Sequence, residues 1–186
     1  MDNTEHLPRK EPLPPLETLF ERHKGFYIHI CRAYADAAAI CFSRHHSPPV
    51  NLIISNKKEM SLREMRWENP GEAAIRSWAN KDDATRDAAY SVSLSVIEAE
   101  FGLLALTRAD TKTGADYYIG YEGDVDLEKA FRLEVSGVDE GGLSEIRSRL
   151  KKKVAQLRKG NSSKPGIAIV VGFKQKRANI ERVFDS

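Results

Sequence analysis

Residues Ile167 to Phe173 read IAIVVGF, and no other segment constrains the fold as strongly. A strand that is apolar on both faces has to be covered on both faces, which places it inside a sheet packed between layers. The stretch Ala84–Phe101 has a similar property as a helix. At about 100° per residue, Tyr90, Leu94, Ile97 and Phe101 share one face. Val92, Val96, Ala99 and the following Leu103 share the opposite one. A helix apolar on two sides is buried on two sides. It is expected between the sheet and the amphipathic segment that precedes it, with Asp83 as its N-cap.

The remaining elements follow the same periodicities. Leu103–Arg108, Ala115–Tyr121 and Ala130–Val135 are expected strands, with a turn at Asp110–Gly114 between the first two. Leu143, Ile146, Leu150, Val154 and Leu157 trace one helical face, and Gly160 ends that helix. Toward the N-terminus, Pro8, Pro12, Pro14 and Pro15 mark residues 1–15 as a flexible arm. Apolar residues from Leu16 to Phe42 recur at helical spacing and predict one long helix to about His46, with Gly25 as a possible kink. Val50–Ser55 is β-type, Asn56–Asn69 has no clear period, and Pro70 opens a short helix through Trp78. The expected architecture is α/β: an arm (1–15), an N-terminal helical extension (16–83) and an α/β core (84–186), together one compact domain.

The 186 residues are 41% hydrophobic and 30% charged, enough for a packed core and a solvated surface. No apolar run approaches the roughly 18 residues of a membrane span. The first residues lack the apolar stretch of a secretory signal. The expectation is therefore a soluble, cytoplasmic chain with no membrane partner. Cys31 and Cys41 lie ten residues apart on an expected helix, about 15 Å at 1.5 Å per residue, which is too far for a disulfide. His23 falls on an apolar helix side and reads as a core residue. Charge is uneven. Residues 147–186 carry twelve Lys and Arg against two acids, while the rest carries seventeen against twenty-five, so the segments hold +10 and −8. A basic segment of this kind suits a polyanion, with nucleic acid as the expected partner.

Two carboxylates stand out. Asp116 opens one expected strand and Glu134 lies near the end of the next. Antiparallel neighbours put the start of one beside the end of the other. The pair would then offer the oxygen ligands preferred by Mg²⁺ or Mn²⁺.

At these residues the chain resembles the PD-(D/E)XK, restriction-endonuclease-like nuclease superfamily, whose common core is an αβββαβ unit. The resemblance covers about Ala84 to Phe173. It implies that Asp116 and Glu134 are the catalytic, metal-binding acids. The family lysine two residues after the second acid is replaced here by Ser136. The resemblance then points to the following helix, where Arg149, Lys153 and Gln156 share one flank. Lys153 stands in as the migrated lysine and Gln156 as a further catalytic candidate. An acid on the first core helix is also implied, and Glu98 is the expected extra metal ligand, with Asp87 as its rival. Either acid would otherwise need a structural partner such as Arg86 or Arg132. Arg149, Lys151, Lys152, Arg158 and Lys159 are the expected nucleic-acid contacts.

The implied function is a metal-dependent phosphodiesterase, a nuclease acting on DNA or RNA. The alternative is a catalytically degenerate module of the same fold that binds nucleic acid or a protein partner. A subunit of a larger assembly, as in phage defence, would use the N-terminal helix as its partner surface.

Overall fold

The computed structural model of the chain describes residues 6–57, 59–110, 113–124, 126–160 and 163–184. Residues 1–5 of the expected arm and residues 111 and 112 of the expected turn lie outside this set. Among the described residues there are seven strands: β1 (Val50–Asn56), β2 (Glu59–Met65), β3 (Leu104–Arg108), β4 (Tyr117–Gly120), β5 (Phe131–Val138), β6 (Gly166–Gly172) and β7 (Arg177–Val183). The helices are α1 (Ile28–Ser43), α2 (Glu72–Ser77), α3 (Lys81–Phe101) and α4 (Leu143–Lys159). The chain is thus a mixed α/β protein. From α3 to β6 the elements run helix, three strands, helix, strand, in the order expected from the sequence.

All strands join one sheet in the order β2-β1-β7-β6-β5-β4-β3, with β6 at its centre. Every residue of β6 is buried. Its side chains alternate between two cores. Ile167, Ile169 and Val171 pack with Leu94 and Ile97 of α3 and with Leu133 and Val135 of β5. Ala168 packs with Val154 and Leu157 of α4, and Val170 with Ile146 of α4. The two helices therefore cover opposite faces. α1 packs on the outer side of α3, so α3 is buried on both sides as its two apolar faces require. β5 and β6 run parallel, and α4 is the crossover between them. β3, β4 and β5 form an antiparallel meander.

The N-terminal third departs from expectation in three ways. First, the long helix is broken. A 3₁₀ turn at Leu16–Glu21 precedes α1, which begins only at Ile28. The break is set by Gly25, whose N–H donates to the Ala105 carbonyl at 2.9 Å. A Cβ there would meet Leu106 C and Thr107 N at 2.5 Å. Backbone packs on backbone at this point, and continuous helix is incompatible with that contact. Second, the extension is not purely helical. β1 joins the sheet parallel to β7, and β2 pairs antiparallel with β1. β2 escaped the sequence because Arg63 interrupts its apolar pattern, yet Arg63 is buried. It donates to Glu100 at 2.6 Å and to the carbonyls of Glu11 and Ala99 at 2.7 and 2.8 Å.

Third, residues 8–13 are not a free arm. Lys10 and Leu13 donate to the carbonyls of Leu62 and Glu64, and Leu62 donates to Pro8, all at 2.9 Å. The segment covers the outer edge of β2, whose unpaired backbone groups would otherwise face solvent. Among the described residues, no helix is long and apolar enough to cross a membrane.

The contact at Gly25 gives a direct expectation. Gly25→Ala pushes the chain away from β3 and costs about 1–3 kcal/mol, the range for overpacking a tight site. Chemical denaturation will show a lower midpoint with an unchanged slope. An unchanged midpoint would refute the close approach.

Candidate functional site

The site begins with strand register. Tyr117 of β4 is paired with Leu133 of β5, which places Asp116 opposite Glu134 where the β4–β5 ladder ends. The Asp116 N–H donates to the Leu133 carbonyl at 2.8 Å. Beyond it the side chain takes over from the backbone, and Asp116 Oδ2 accepts the Val135 N–H at 2.8 Å. Asp116 Oδ1 accepts the Tyr90 hydroxyl of α3 at 2.7 Å. Tyr90 arrives there because α3 lies unusually close to β5. A Cβ on Gly137 would meet the Thr85 carbonyl at 2.5 Å and the Ala89 methyl at 3.2 Å. Glycine at that strand position lets the helix settle.

The Glu134 side chain turns toward α4, on the side of Ala168, and Asp116 stands beside it where the β4–β5 ladder ends, within reach of both α3 and Glu134. Lys153 Nζ donates to Glu134 Oε1 at 2.7 Å. One turn earlier, Arg149 Nη1 donates to the Gly137 carbonyl at 2.9 Å and pairs with Glu145. The shared flank of Arg149 and Lys153 is therefore the edge of α4 that leans over β5. Gln156 is exposed one turn beyond Lys153. No side-chain hydrogen bond joins it to the carboxylate pair among the described residues.

Electrostatics mark the carboxylate pair. Burial raises the Glu134 carboxyl above its ordinary range and the adjacent Asp116 charge raises it further, while the Lys153 ammonium opposes both without cancelling them. Burial, followed by the Asp116 charge, also raises the Tyr90 phenol, so it remains a hydrogen-bond donor at neutral pH. Two acids in contact on a partly desolvated site call for positive charge. Their donor set suits a hard divalent cation of the Mg²⁺ type, which takes one or two carboxylates and completes its shell with water and phosphate. Among the described residues, no group of three or more His, Cys, Asp and Glu is arranged to hold a metal ion. A site here therefore rests on the two acids and on oxygens from outside the protein.

The first-helix acid expected at the site is not Glu98. Glu98 follows Tyr90 by eight residues, about 12 Å along the helix, and is committed elsewhere. Arg22 Nε lies 2.6 Å from Glu98 Oε1, and His23 Nε2 lies 2.9 Å from Oε2. His23 is fully buried and its Nδ1 accepts the Ala105 N–H at 2.9 Å, so the ring proton sits on Nε2 and points at Glu98. Asp87, one turn before Tyr90, is the helix acid on the site's side, and it is paired with Arg86 at 2.7 Å. Arg132 is fully buried and takes no acid. It donates to the carbonyls of Leu157 and Lys164 at 2.8–3.0 Å and caps the end of α4.

Lys151, Lys152, Arg158 and Lys159 are exposed on α4. The loop acids after β5 are neutralised: Asp139 pairs with Arg44 and His45, and Glu140 with Lys81. A cleft of about 620 Å³ opens along the end of β5 between α3 and α4, lined by Lys81, Thr85, Arg86, Gly137 and Arg149 among others.

Two residues at the site were not legible as such in the sequence. Tyr90 reads as part of an apolar helix face, and only its phenol oxygen hints at a second role. Arg108 reads as the end of a strand. It lies over the rings of Tyr90 and Tyr117, its Cζ 4.2 and 4.7 Å from their centroids, with Nη2 3.7 Å from Asp116 Oδ1.

No protein-family model matches the chain, and neither a curated protein nor a solved structure matches it.

The relocation of Glu98 carries a pH signature. Burial raises its carboxyl, but the hydrogen bonds from His23 and Arg22 outweigh that and hold it below its ordinary value of 4.5. A depressed carboxyl stabilises the fold above the unfolded value and loses that contribution as pH falls through the folded one. Glu98→Gln is expected to cost about 2 kcal/mol at pH 7. The difference from the unsubstituted protein should shrink as pH falls below 4.5. Denaturation midpoints across pH 3 to 7, about one unit apart, test this. A pH-independent difference would sink the assignment.

Proposed function

We propose that the chain is a divergent nuclease of the PD-(D/E)XK type, a metal-dependent phosphodiesterase acting on nucleic acid. One observation carries the reading: Glu134 of β5 has Asp116, the residue before β4, beside it on one side and Lys153 of α4 on the other. Lys153 Nζ lies 2.7 Å from Glu134, and Glu134 lies opposite Asp116. In this reading Lys153 of α4 stands in for the family lysine that Ser136 replaces. The order of elements from α3 to β6 and the exposed cations of α4 support the same reading.

Asp116 and Glu134 would hold Mg²⁺ or Mn²⁺, which supplies positive charge at the scissile phosphate and makes a water more acidic. Tyr90 and the Val135 N–H orient the Asp116 carboxylate, so its position does not depend on the ligand. Lys153 lies against Glu134 and can donate to a phosphate oxygen as negative charge builds on it. Hydrolysis forms a bond from a water oxygen to phosphorus and breaks the bond from phosphorus to the leaving sugar oxygen. The water gives up one proton and the leaving oxygen gains one. Lys151, Lys152, Arg158 and Lys159 extend the positive surface along α4, where they can follow a phosphate backbone.

Calorimetric titration of Mn²⁺ should give binding heat with the unsubstituted protein and none with Glu134→Ala. Incubation with plasmid DNA, single-stranded DNA and RNA in Mg²⁺ should give cleavage that is lost in Asp116→Ala. Lys153→Ala should retain the Mn²⁺ heat and cleave about 100-fold more slowly, the scale for losing one transition-state donor. Equal cleavage by Asp116→Ala would refute the reading. Nucleic-acid binding without turnover by the unsubstituted protein would leave the non-catalytic module.

A further inference from the structure

Arginines with a structural role in this protein direct their donors at acceptors. Arg132 places Nε, Nη1 and Nη2 on carbonyls, and Arg63 places all three on a carboxylate and two carbonyls. Arg108 is arranged differently. Its guanidinium carbon sits 4.2 and 4.7 Å from the ring centroids of the buried Tyr90 and Tyr117, and Nη2 donates to the Tyr90 hydroxyl at 2.8 Å. Its nearest carboxylate, Asp116, is 3.7 Å away, beyond hydrogen-bond distance. The side chain is 47% exposed. The rings hold the cation in place, and the exposed part of its five-donor fork faces solvent. Two flanking tyrosine rings, set edge to face with each other, restrict the side chain, so less conformational freedom is lost when an anion binds.

Position supplies the second half of the argument. Arg108 ends β3 and is paired in register with Tyr117, the residue after Asp116. Arg108 therefore flanks the carboxylate pair on the Asp116 side, and Lys153 flanks it on the Glu134 side. A strand of nucleic acid whose phosphate sits at the pair presents its neighbouring phosphate only a few ångströms further on. A forked, pre-positioned cation matches a non-bridging phosphate oxygen pair better than a lysine does.

We propose that Arg108 is a phosphate-binding position, taking the non-bridging oxygens of a phosphodiester next to the one held at Asp116 and Glu134. The proposal rests on the nucleic-acid reading above and deepens it by naming where the strand continues once it has passed α4 and the carboxylate pair: across the end of β3.

Fluorescence anisotropy of labelled DNA and RNA oligonucleotides, in EDTA and over a range of salt, tests the site apart from turnover. Arg108→Ala should weaken binding about tenfold at low salt and reduce the slope of log affinity against log salt by about 1, as for loss of one phosphate contact. Arg108→Lys should keep most of the slope and recover part of the affinity, because charge remains while the fork and the stacking are lost. Arg108→Lys also covers the case in which the alanine variant fails to fold, because a wild-type isotherm from the lysine variant would equally overturn the site. Affinity and slope unchanged in Arg108→Ala overturn the proposal, as does absence of binding by the unsubstituted protein. Cleavage lost in Asp116→Ala, with unchanged binding in Arg108→Ala, would leave the nuclease reading standing and this site refuted. Arg108-dependent binding without any cleavage would do the reverse.

Discussion

Every residue of β6 from Gly166 to Gly172 is buried, so the sheet is stable only with a packed layer on each side. That requirement organises the molecule. α4, the crossover from β5 to β6, is held against one face by Ile146, Val154 and Leu157. α3 is held against the other by Leu94 and Ile97. With both helices fixed, their polar edges are fixed too. Lys153 reaches Glu134 from above the sheet, and Tyr90 reaches Asp116 from below. The constellation is thus a by-product of how β6 is covered.

Charge is handled in two ways in this protein. Away from the site, several buried or half-buried ions have close partners. Glu98 has Arg22 and His23, Glu100 has Lys10 and Arg63, Asp139 has Arg44 and His45, and Arg132 has carbonyls at the end of α4. The pairs hold Glu98 and Glu100 below the ordinary carboxylate range although burial pulls them upward. At the site the balance is reversed. Asp116 and Glu134 share a partly desolvated space, and the Lys153 ammonium does not offset burial and the Asp116 charge, so Glu134 is raised. Arg108 is a half-exposed cation beside aromatic rings, with Asp116 within ion-pair range but not hydrogen-bonded to it.

Much of the core was legible because periodicity survives burial. IAIVVGF, the two-faced helix and the Leu143–Leu157 stripe correspond to β6, α3 and α4. Asp116 and Glu134 were legible as neighbours because antiparallel pairing sets the start of one strand against the next, although β5 runs on past Glu134 to Val138. Lys153 was legible only through its flank on the helical wheel. The N-terminal third was harder. Helical spacing continues through Arg22–Tyr27, but the contact of Gly25 with Leu106 and Thr107 overrides it. β2 carries a buried arginine, and β7 a buried asparagine among charged residues, so neither shows a clean alternation.

By itself the sequence determined the kinds and order of the elements from α3 to β6, the basic C-terminal segment and the two acids that share a strand register. These depend on local spacing, and spacing is fully present in the chain. Tertiary structure alone decided which helix acid faces the site, since Asp87 and Glu98 look alike on a wheel and only the partners Arg86, Arg22 and His23 separate them. It also decided that residues 8–13 and β1–β2 complete the far side of the sheet, and that Tyr90 and Arg108 belong beside Asp116. Those outcomes depend on contacts between residues distant in the chain, and no local pattern encodes such contacts.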